Sequence, residues 1–406
     1  MVAFSERLDF PGHDGGKLAA KLDLPLGTPR AYALFAHCFT CSKDIFAAAR
    51  ISQALAARGF AVLRFDFTGL GMSDGEFENT NFSSNVQDLV AAAAYLRQTR
   101  AAPQLLIGHS LGGAAVLVAA GQIPEVAAVA TIGAPADAEH VIENFAADVG
   151  RIEAEGAAEV TLAGRKFTIR KQFIDDVRET ELGERIAAMK KPLMVMHAPR
   201  DETVGIENAS AIFLAARHPK SFISLDDADH LLSRPEDAVF VADTLAAWAA
   251  RYVGAPEVEH TNLVRVRETG AGKFQQAVSV GPHALLADEP KDVPGGTDTG
   301  PNPYDFLSVA LGTCTAMTLR MYADYKKLRL SRVEVTVDHA KVHARDCADC
   351  AEDRDGKIDR FERRIAVEGD LEAEVRDKLI EIAGKCPVHR TLEAGAAVVT
   401  KLAEPD

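Results

Sequence analysis

Residues 104–115 read QLLIGHSLGGAA, and this stretch limits the fold more than any other part of the chain. A short apolar run is followed by a serine between Gly108 and Gly112, and then by small apolar residues. That order describes a buried strand, a sharp turn and a helix. A side chain on such a turn is thrust outward, and bulky neighbours would clash with the helix that follows. The pattern G-x-S-x-G therefore predicts Ser110 as an exposed nucleophile on a strand-to-helix elbow. The Leu111 N–H stands at the start of the helix, where it can meet a developing oxyanion.

The flanking sequence supplies the sheet that such an elbow requires. Short apolar runs at 31–37, 60–67, 126–134, 192–198 and 221–225 alternate with helical stretches, the longest at about 82–100. Strands alternating with helices predict a mostly parallel sheet covered on both faces. Functional groups of such sheets lie at the carboxyl ends of the strands. Asp201, in HAPRDETV, follows the run at 192–198, and His230, in DDADHLLS, follows the run at 221–225. A serine hydroxyl needs a base, and the base needs an acid to fix its tautomer.

The order Ser110, Asp201, His230, together with the elbow, resembles the α/β-hydrolases over nearly all of residues 1–255. DFTGLGMSDG (66–75) is similar to the loop that these enzymes carry after an early strand. The resemblance implies an esterase-type hydrolase with a Ser–His–Asp triad. It also implies a second oxyanion donor after the strand at 31–37. Family members commonly have His-Gly there, whereas this chain reads AHCFTCSKD. Cys38 takes the glycine's place, and Phe39 would provide the N–H. C-x-x-C elsewhere suggests a redox pair. Within a hydrolase loop, Cys38 and Cys41 are read as small buried residues that shape it, and His37 as a packing residue. Residues 136–190 break the strand rhythm with a helical stretch and a hairpin around Ala163-Gly164, and are expected to form a lid that sets substrate choice. This insertion shows no nucleotide loop and no metal cluster, and acyl transfer to water needs no cofactor.

A boundary is expected at GAPE (254–257), giving a hydrolase domain over 1–254 and a second domain over 255–406. The second part reads as α+β. Paired strands are expected within 263–281, a long Gly/Pro/Asp loop at 288–303 and a helix at 304–328. Strands at 331–342 and 357–368, a helix at 371–384 and a last strand at 396–402 follow. The helix is apolar nearly all round, through Phe306, Leu307, Val309, Leu311, Met317, Leu319 and Met321. Such a helix must be buried on most sides, which predicts a homodimer through this domain.

Cys314 sits mid-helix, and Cys386 directly precedes Pro387 in GKCPVHRT. Proline suits the first position of a helix, and a helix start favours a thiolate. His389 lies one turn on. GPNPYDFLSVALGTCTA and KCPVHRTL resemble the OsmC/Ohr family over about residues 260–403. That resemblance implies an intertwined homodimer in which Cys314 attacks an organic hydroperoxide and Cys386 resolves the sulfenic acid. The family's supporting Glu is absent. Tyr304 and Asp305 stand nearby, only Asp305 is acidic, and no motif marks Arg265 or Arg267 as the basic partner. Three readings stay open for this domain: a working thiol peroxidase, a dimer scaffold with a candidate thiol pair, and a scaffold whose cysteines are core residues.

His339, His343, Cys347 and Cys350 have zinc-ligand types at short spacing, yet their acidic surroundings also suit a solvated interface loop or an auxiliary thiol pair. The net charge of −14 is shared by both halves, with eight excess acids in residues 1–255 and six in the rest. No basic patch suggests nucleic acid or an anionic membrane as partner. The first residues lack the apolar run of a signal peptide, and no stretch approaches a membrane span. The expectation is a cytoplasmic protein acting on a small-molecule ester, with its six cysteines mostly reduced.

Overall fold

The structure is a computed structural model and describes residues 4–162, 164–254, 263–281, 283–343 and 357–402. The chain divides into two compact units, residues 1–271 with 276–285, and 272–275 with 286–406.

Over residues 4–224, ten strands form in chain order: β1 (Phe4–Pro11), β2 (Lys17–Leu24), β3 (Ala31–Ala36), β4 (Phe60–Phe65), β5 (Pro103–His109), β6 (Ala128–Ile132), β7 (Ala157–Leu162), β8 (Arg165–Arg170), β9 (Leu193–His197) and β10 (Lys220–Ser224). Eight of them make one sheet in the order β1-β2-β4-β3-β5-β6-β9-β10. β1 and β2 form an antiparallel hairpin that joins β4 antiparallel, and the remaining pairs are parallel. The chain steps outward from β3 to β4 and then crosses back to β5. The carboxyl ends of β3 and β5 therefore flank the switch in strand order, where such sheets place their sites.

The helices are α1 (Phe46–Ala56), α2 (Phe82–Thr99), α3 (Leu111–Ala119), α4 (Val149–Glu155), α5 (Lys171–Glu179), α6 (Leu182–Met189), α7 (Ile206–Ala215) and α8 (Pro235–Ala249). Alternate strand residues feed opposite faces. Leu34, Leu63 and Leu106 pack with α2 and α3, whereas Phe35, Val62 and Ile107 pack with α1 and α8. Two-sided burial explains why these strands read as continuous apolar runs. α2 starts at Asn81, whose side chain and that of Ser84 complete a reciprocal cap. Between β6 and β9 lie a 3-10 segment (Ala138–Asp148), α4, the β7–β8 hairpin, α5 and α6.

Beyond α8, β11 (Val264–Glu268), β12 (Gln276–Val280) and β13 (His283–Ala287) form a three-stranded sheet. α9 (Pro303–Lys326), β14 (Arg329–His343), β15 (Lys357–Asp370), α10 (Ala373–Ala383) and α11 (Pro387–Ala394) complete the chain. β14 and β15 pair antiparallel along almost their whole length. α9 differs from expectation. Only Leu311, Thr315, Leu319 and Ala323 are buried, a single stripe at four-residue spacing. Met317, Met321 and Tyr325 are exposed, because two strands and two short helices cover one side of a helix and no more. Residues 396–402 are not a strand. They hold no ladder position in any sheet of the described residues, and Val398, Val399 and Leu402 are exposed.

Candidate active site

Ser110 closes β5 and opens α3 at φ 55° and ψ −128°. This left-handed backbone costs a non-glycine residue about 1–3 kcal/mol, and the packing around it leaves no alternative. A Cβ on Gly108 would stand 2.2 Å from the Gly112 carbonyl oxygen, and one on Gly112 would stand 2.4 Å from that of His37. The two glycines let α3 start hard against β5 and the β3 loop.

Asp201 lies just beyond β9 and His230 beyond β10. The His230 Nδ1–H donates to Asp201 Oδ2 at 2.7 Å. Asp201 Oδ1 accepts from the Thr203 and Val204 N–H groups, each at 2.9 Å. Burial pushes this carboxyl up, but the bonds from His230, Val204 and Thr203 outweigh it and hold it below the ordinary range. With Nδ1 donating, His230 keeps its Nε2 lone pair free for a proton. Ser110 Oγ has no hydrogen-bond partner among the described residues. Nucleophile and base contacts are often long before substrate arrives.

His109 and His197 flank this pair, and His37 lies near His109. His109 Nε2–H donates to the His230 carbonyl at 2.7 Å, and the two rings lie 5.1 Å apart. Burial, with the nearby His230, lowers its pKa to about 4, so this ring is neutral when it props His230. His197 Nε2–H donates to the Val204 carbonyl, and His37 Nδ1–H to the Cys38 carbonyl. The second ring nitrogen of each is buried without a partner. His37 packs edge-on to Phe67 as a loop-packing residue. His109 was the findable member of the group, since it sits inside the G-x-S-x-G motif.

The loop after β3 corrects the expectation of reduced cysteines. Cys38 and Cys41 are joined by a disulfide, with Cα atoms 5.3 Å apart. The Cys41 N–H donates to the Cys38 carbonyl, closing a tight turn that brings the two sulfurs together. Thr40 within this turn has φ 59°, an outlier for a β-branched residue. The Phe39 N–H has no partner among the described residues, as an oxyanion donor requires.

The loop is tied on both sides. Asp66 accepts from the Lys43 N–H at 2.6 Å and from its ammonium at 2.7 Å. Arg64 donates to the Lys43 carbonyl and pairs with Asp23 of β2. Arg165 of β8 donates to the Thr40 carbonyl. Phe39 packs on Phe77 and Phe173 at ring separations of 5.8 and 5.4 Å. Sequence reading placed Asp66 in the loop at 66–75 without giving it a role, and missed Arg64 and Arg165, because neither forms a motif and Arg165 is 125 residues from its partner. Asp66→Ala should lower stability by about 3–5 kcal/mol, since it leaves the buried Lys43 ammonium with only the part-exposed Asp44, 3.7 Å away, as counter-charge. Urea unfolding measures this, and a loss under about 1 kcal/mol would mean that the pair is not a structural tie.

In the second unit, Cys386 caps α11 and its sulfur accepts from the His389 N–H at 3.3 Å. Thr315, one residue past Cys314, places Oγ1 3.8 Å from that sulfur. Burial raises this thiol. The His389 N–H, the Cys314 side chain and the Thr315 hydroxyl outweigh burial and lower it. Arg363 of β15 binds Thr315 Oγ1 at 2.8 Å and His389 Nδ1 at 3.1 Å. Sequence reading did not single this residue out. Arg267 instead lies over the Phe4 ring. Asp305 accepts from the Asn302 N–H in a capping box. It lies nine residues before Cys314, about 13 Å along the helix axis.

His339 stacks on Tyr304 at 4.4 Å and bonds Asp359 at 2.9 Å. Both rings line a groove of about 700 Å³ between α9 and β14. Cys347 and Cys350 lie outside the described residues, and only the backbone of His343 is described. No group of three metal-ligand side chains occurs among the described residues.

Both parts of the chain are similar to known proteins. The alpha/beta hydrolase family matches residues 33–340, and OsmC-like protein matches residues 296–401. The overlap is occupied by α9 and most of β14, which belong with the second unit. The esterase domain of a Rhodothermus marinus protein is 50% identical, with a TM-score of 0.51 over 62% of this chain and 99% of that domain. Human palmitoyl-protein thioesterase ABHD10, mitochondrial, is 27% identical over 38% of this chain and 51% of its own length. This chain thus spans about half of that relative. The Escherichia coli O157:H7 protein YfhR is 22% identical over 56% of this chain and 74% of its own. The chain belongs to the alpha/beta hydrolase family and carries an OsmC-like domain at its C-terminal end.

Proposed function

We propose that the chain is a serine hydrolase of carboxylic esters or thioesters, with Ser110 as nucleophile, His230 as base and Asp201 as the group that orients it. The observation that carries this is the 2.7 Å His230–Asp201 bond beyond the strand that ends in the Ser110 elbow. Ser110 Oγ attacks the acyl carbon while His230 Nε2 takes its proton. The Phe39 and Leu111 N–H groups receive the oxyanion, and the leaving alcohol or thiol takes the proton back. Water then repeats the sequence on the acyl-enzyme. The Rhodothermus marinus domain is named an esterase, and ABHD10 a palmitoyl-protein thioesterase, which supports both bond types. A panel of esters and thioesters with full-length protein tests the reading. Turnover of at least one class, and covalent labelling of Ser110 by a fluorophosphonate, are expected. No turnover and no label would exclude it.

A second reading concerns the OsmC-like domain, which we place at 255–406 after the hydrolase domain at 1–254. The contacts among Cys314, Thr315 and Cys386 favour a reducible pair. Cys314 thiolate attacks the O–O bond of an organic hydroperoxide, releasing an alcohol. Cys386 then displaces water from the sulfenic acid, and an external dithiol restores both thiols. Peroxide-treated protein should yield a 314–386 cross-linked peptide, whereas a lasting sulfinic acid at Cys314 without cross-link would leave the domain as a scaffold. The exposed Val309, Met317 and Met321 of α9 favour a homodimer formed through this domain. Light scattering should give twice the chain mass at micromolar concentration, and the chain mass itself would rule the dimer out. Among the described residues no helix is long and apolar enough to cross a membrane. A cytoplasmic location belongs to the same proposal.

A further inference from the structure

The disulfide has no place in the acyl-transfer cycle, yet it brackets one of the two groups assigned to the oxyanion hole. Between Cys38 and Cys41 stand only Phe39, with its free N–H, and Thr40, held at φ 59°. A β-branched residue keeps such a backbone only where its surroundings impose it. Chain on either side cannot take up the slack. Upstream, the His37 carbonyl is wedged against Gly112 at the start of α3. Downstream, Lys43 is locked by Asp66 and Arg64. Opening the bridge therefore leaves Phe39 and Thr40 as the segment that can relax, held only by the Cys41 N–H to Cys38 carbonyl bond, the Phe39 ring contacts and the Arg165 bond to the Thr40 carbonyl.

We propose that the Cys38–Cys41 disulfide is a redox-sensitive modification site that positions the Phe39 N–H, so that a dithiol reductant turns hydrolysis down and reoxidation restores it. This rests on the hydrolase reading above. Cys38 is buried and Cys41 is half-buried, so the reductant's thiolate attacks Cys41 Sγ. The S–S bond breaks, Cys38 leaves as thiolate and takes up a proton, and a mixed disulfide forms on Cys41. The second thiol of the reductant then displaces the Cys41 sulfur and leaves as a cyclic disulfide, having given two electrons to the protein. Protein disulfides in a reducing compartment are usually transient or redox-sensing. An enzyme gated in this way is active under oxidising conditions and quiet when thiol reductants prevail.

Full-length protein is equilibrated in dithiothreitol redox buffers of stepped composition, desalted anaerobically, and assayed at once with p-nitrophenyl acetate. A parallel sample is alkylated and mapped by mass. Loss of one oxyanion donor lowers kcat by about 10²–10³. A donor displaced but not removed should lower it about tenfold or more, with KM nearly unchanged. The fall should track alkylation of Cys38 and Cys41 and reverse on reoxidation. The double variant Cys38→Ser/Cys41→Ser should be slow from the start and indifferent to the buffer. If that variant does not fold, the wild-type titration decides alone. Protein alkylated at both positions that turns over at the oxidised rate would overturn the proposal. So would a fall that tracks other cysteines. Absence of turnover in every buffer would instead remove the hydrolase reading on which it depends.

Discussion

Replacing Ser110 with alanine is expected to lower kcat/KM for a short activated ester by about 10⁴–10⁶. The change removes the oxygen proposed to attack and leaves the rest of the site standing. The Phe39 and Leu111 N–H groups still receive an oxyanion, so a residue above the rate in water should survive. KM should move little, since the hydroxyl adds almost nothing to ground-state binding. The variant keeps a Cβ at the same backbone angles, so its circular dichroism and unfolding midpoint should match wild type. If it retains more than about a hundredth of the activity, the elbow serine is not the nucleophile.

Asp201→Asn should cost about 10⁴ in kcat while leaving the fold intact. The reason lies in which oxygen does what. Oδ1 accepts from two backbone N–H groups, and Oδ2 accepts from His230. An amide keeps its oxygen toward the two N–H donors, because the reverse orientation would set NH₂ against both. Its NH₂ then faces His230 Nδ1 and makes that nitrogen an acceptor. The proton moves to Nε2, the atom that should take one from Ser110, and the base is lost. Neutral His109, bonded to the His230 carbonyl, offers no route around this. Steady-state kinetics with a p-nitrophenyl ester gives the answer, and more than a tenth of wild-type kcat would count against Asp201 as the orienting acid.

Much of the hydrolase sheet could be read from the chain because its inner strands are buried on both faces. A run such as AVLRF has few alternatives to a strand between helices. The β1–β2 hairpin went unread because Ser5, Glu6, Arg7, Asp9, Lys17 and Lys21 hide its alternation among charges. The placing of Ser110, Asp201 and His230 at strand ends was legible, because local sequence encodes where strands stop. The Cys38–Cys41 bond was not, because bonding depends on a turn whose closure shows only in three dimensions. Arg165 and Arg363 share that difficulty. Each reaches its partner through a hairpin or strand register that composition does not fix. The expected last strand failed for a related reason: residues 396–402 have β-forming chemistry, and a strand also needs a neighbour to pair with.

The backbone at Ser110 sets two demands of the molecule against each other. The elbow holds its serine in a region where glycine would sit at no steric cost. Judged by folding alone, the position calls for glycine, which has no hydroxyl to offer. The hydroxyl is kept at a standing penalty of about 1–3 kcal/mol, carried by the packing of α3 against β5 and the β3 loop. Stability and turnover pull in opposite directions at this residue. A lineage released from the need for this hydroxyl would be free to lose Ser110 to glycine first, and would shed that penalty by doing so.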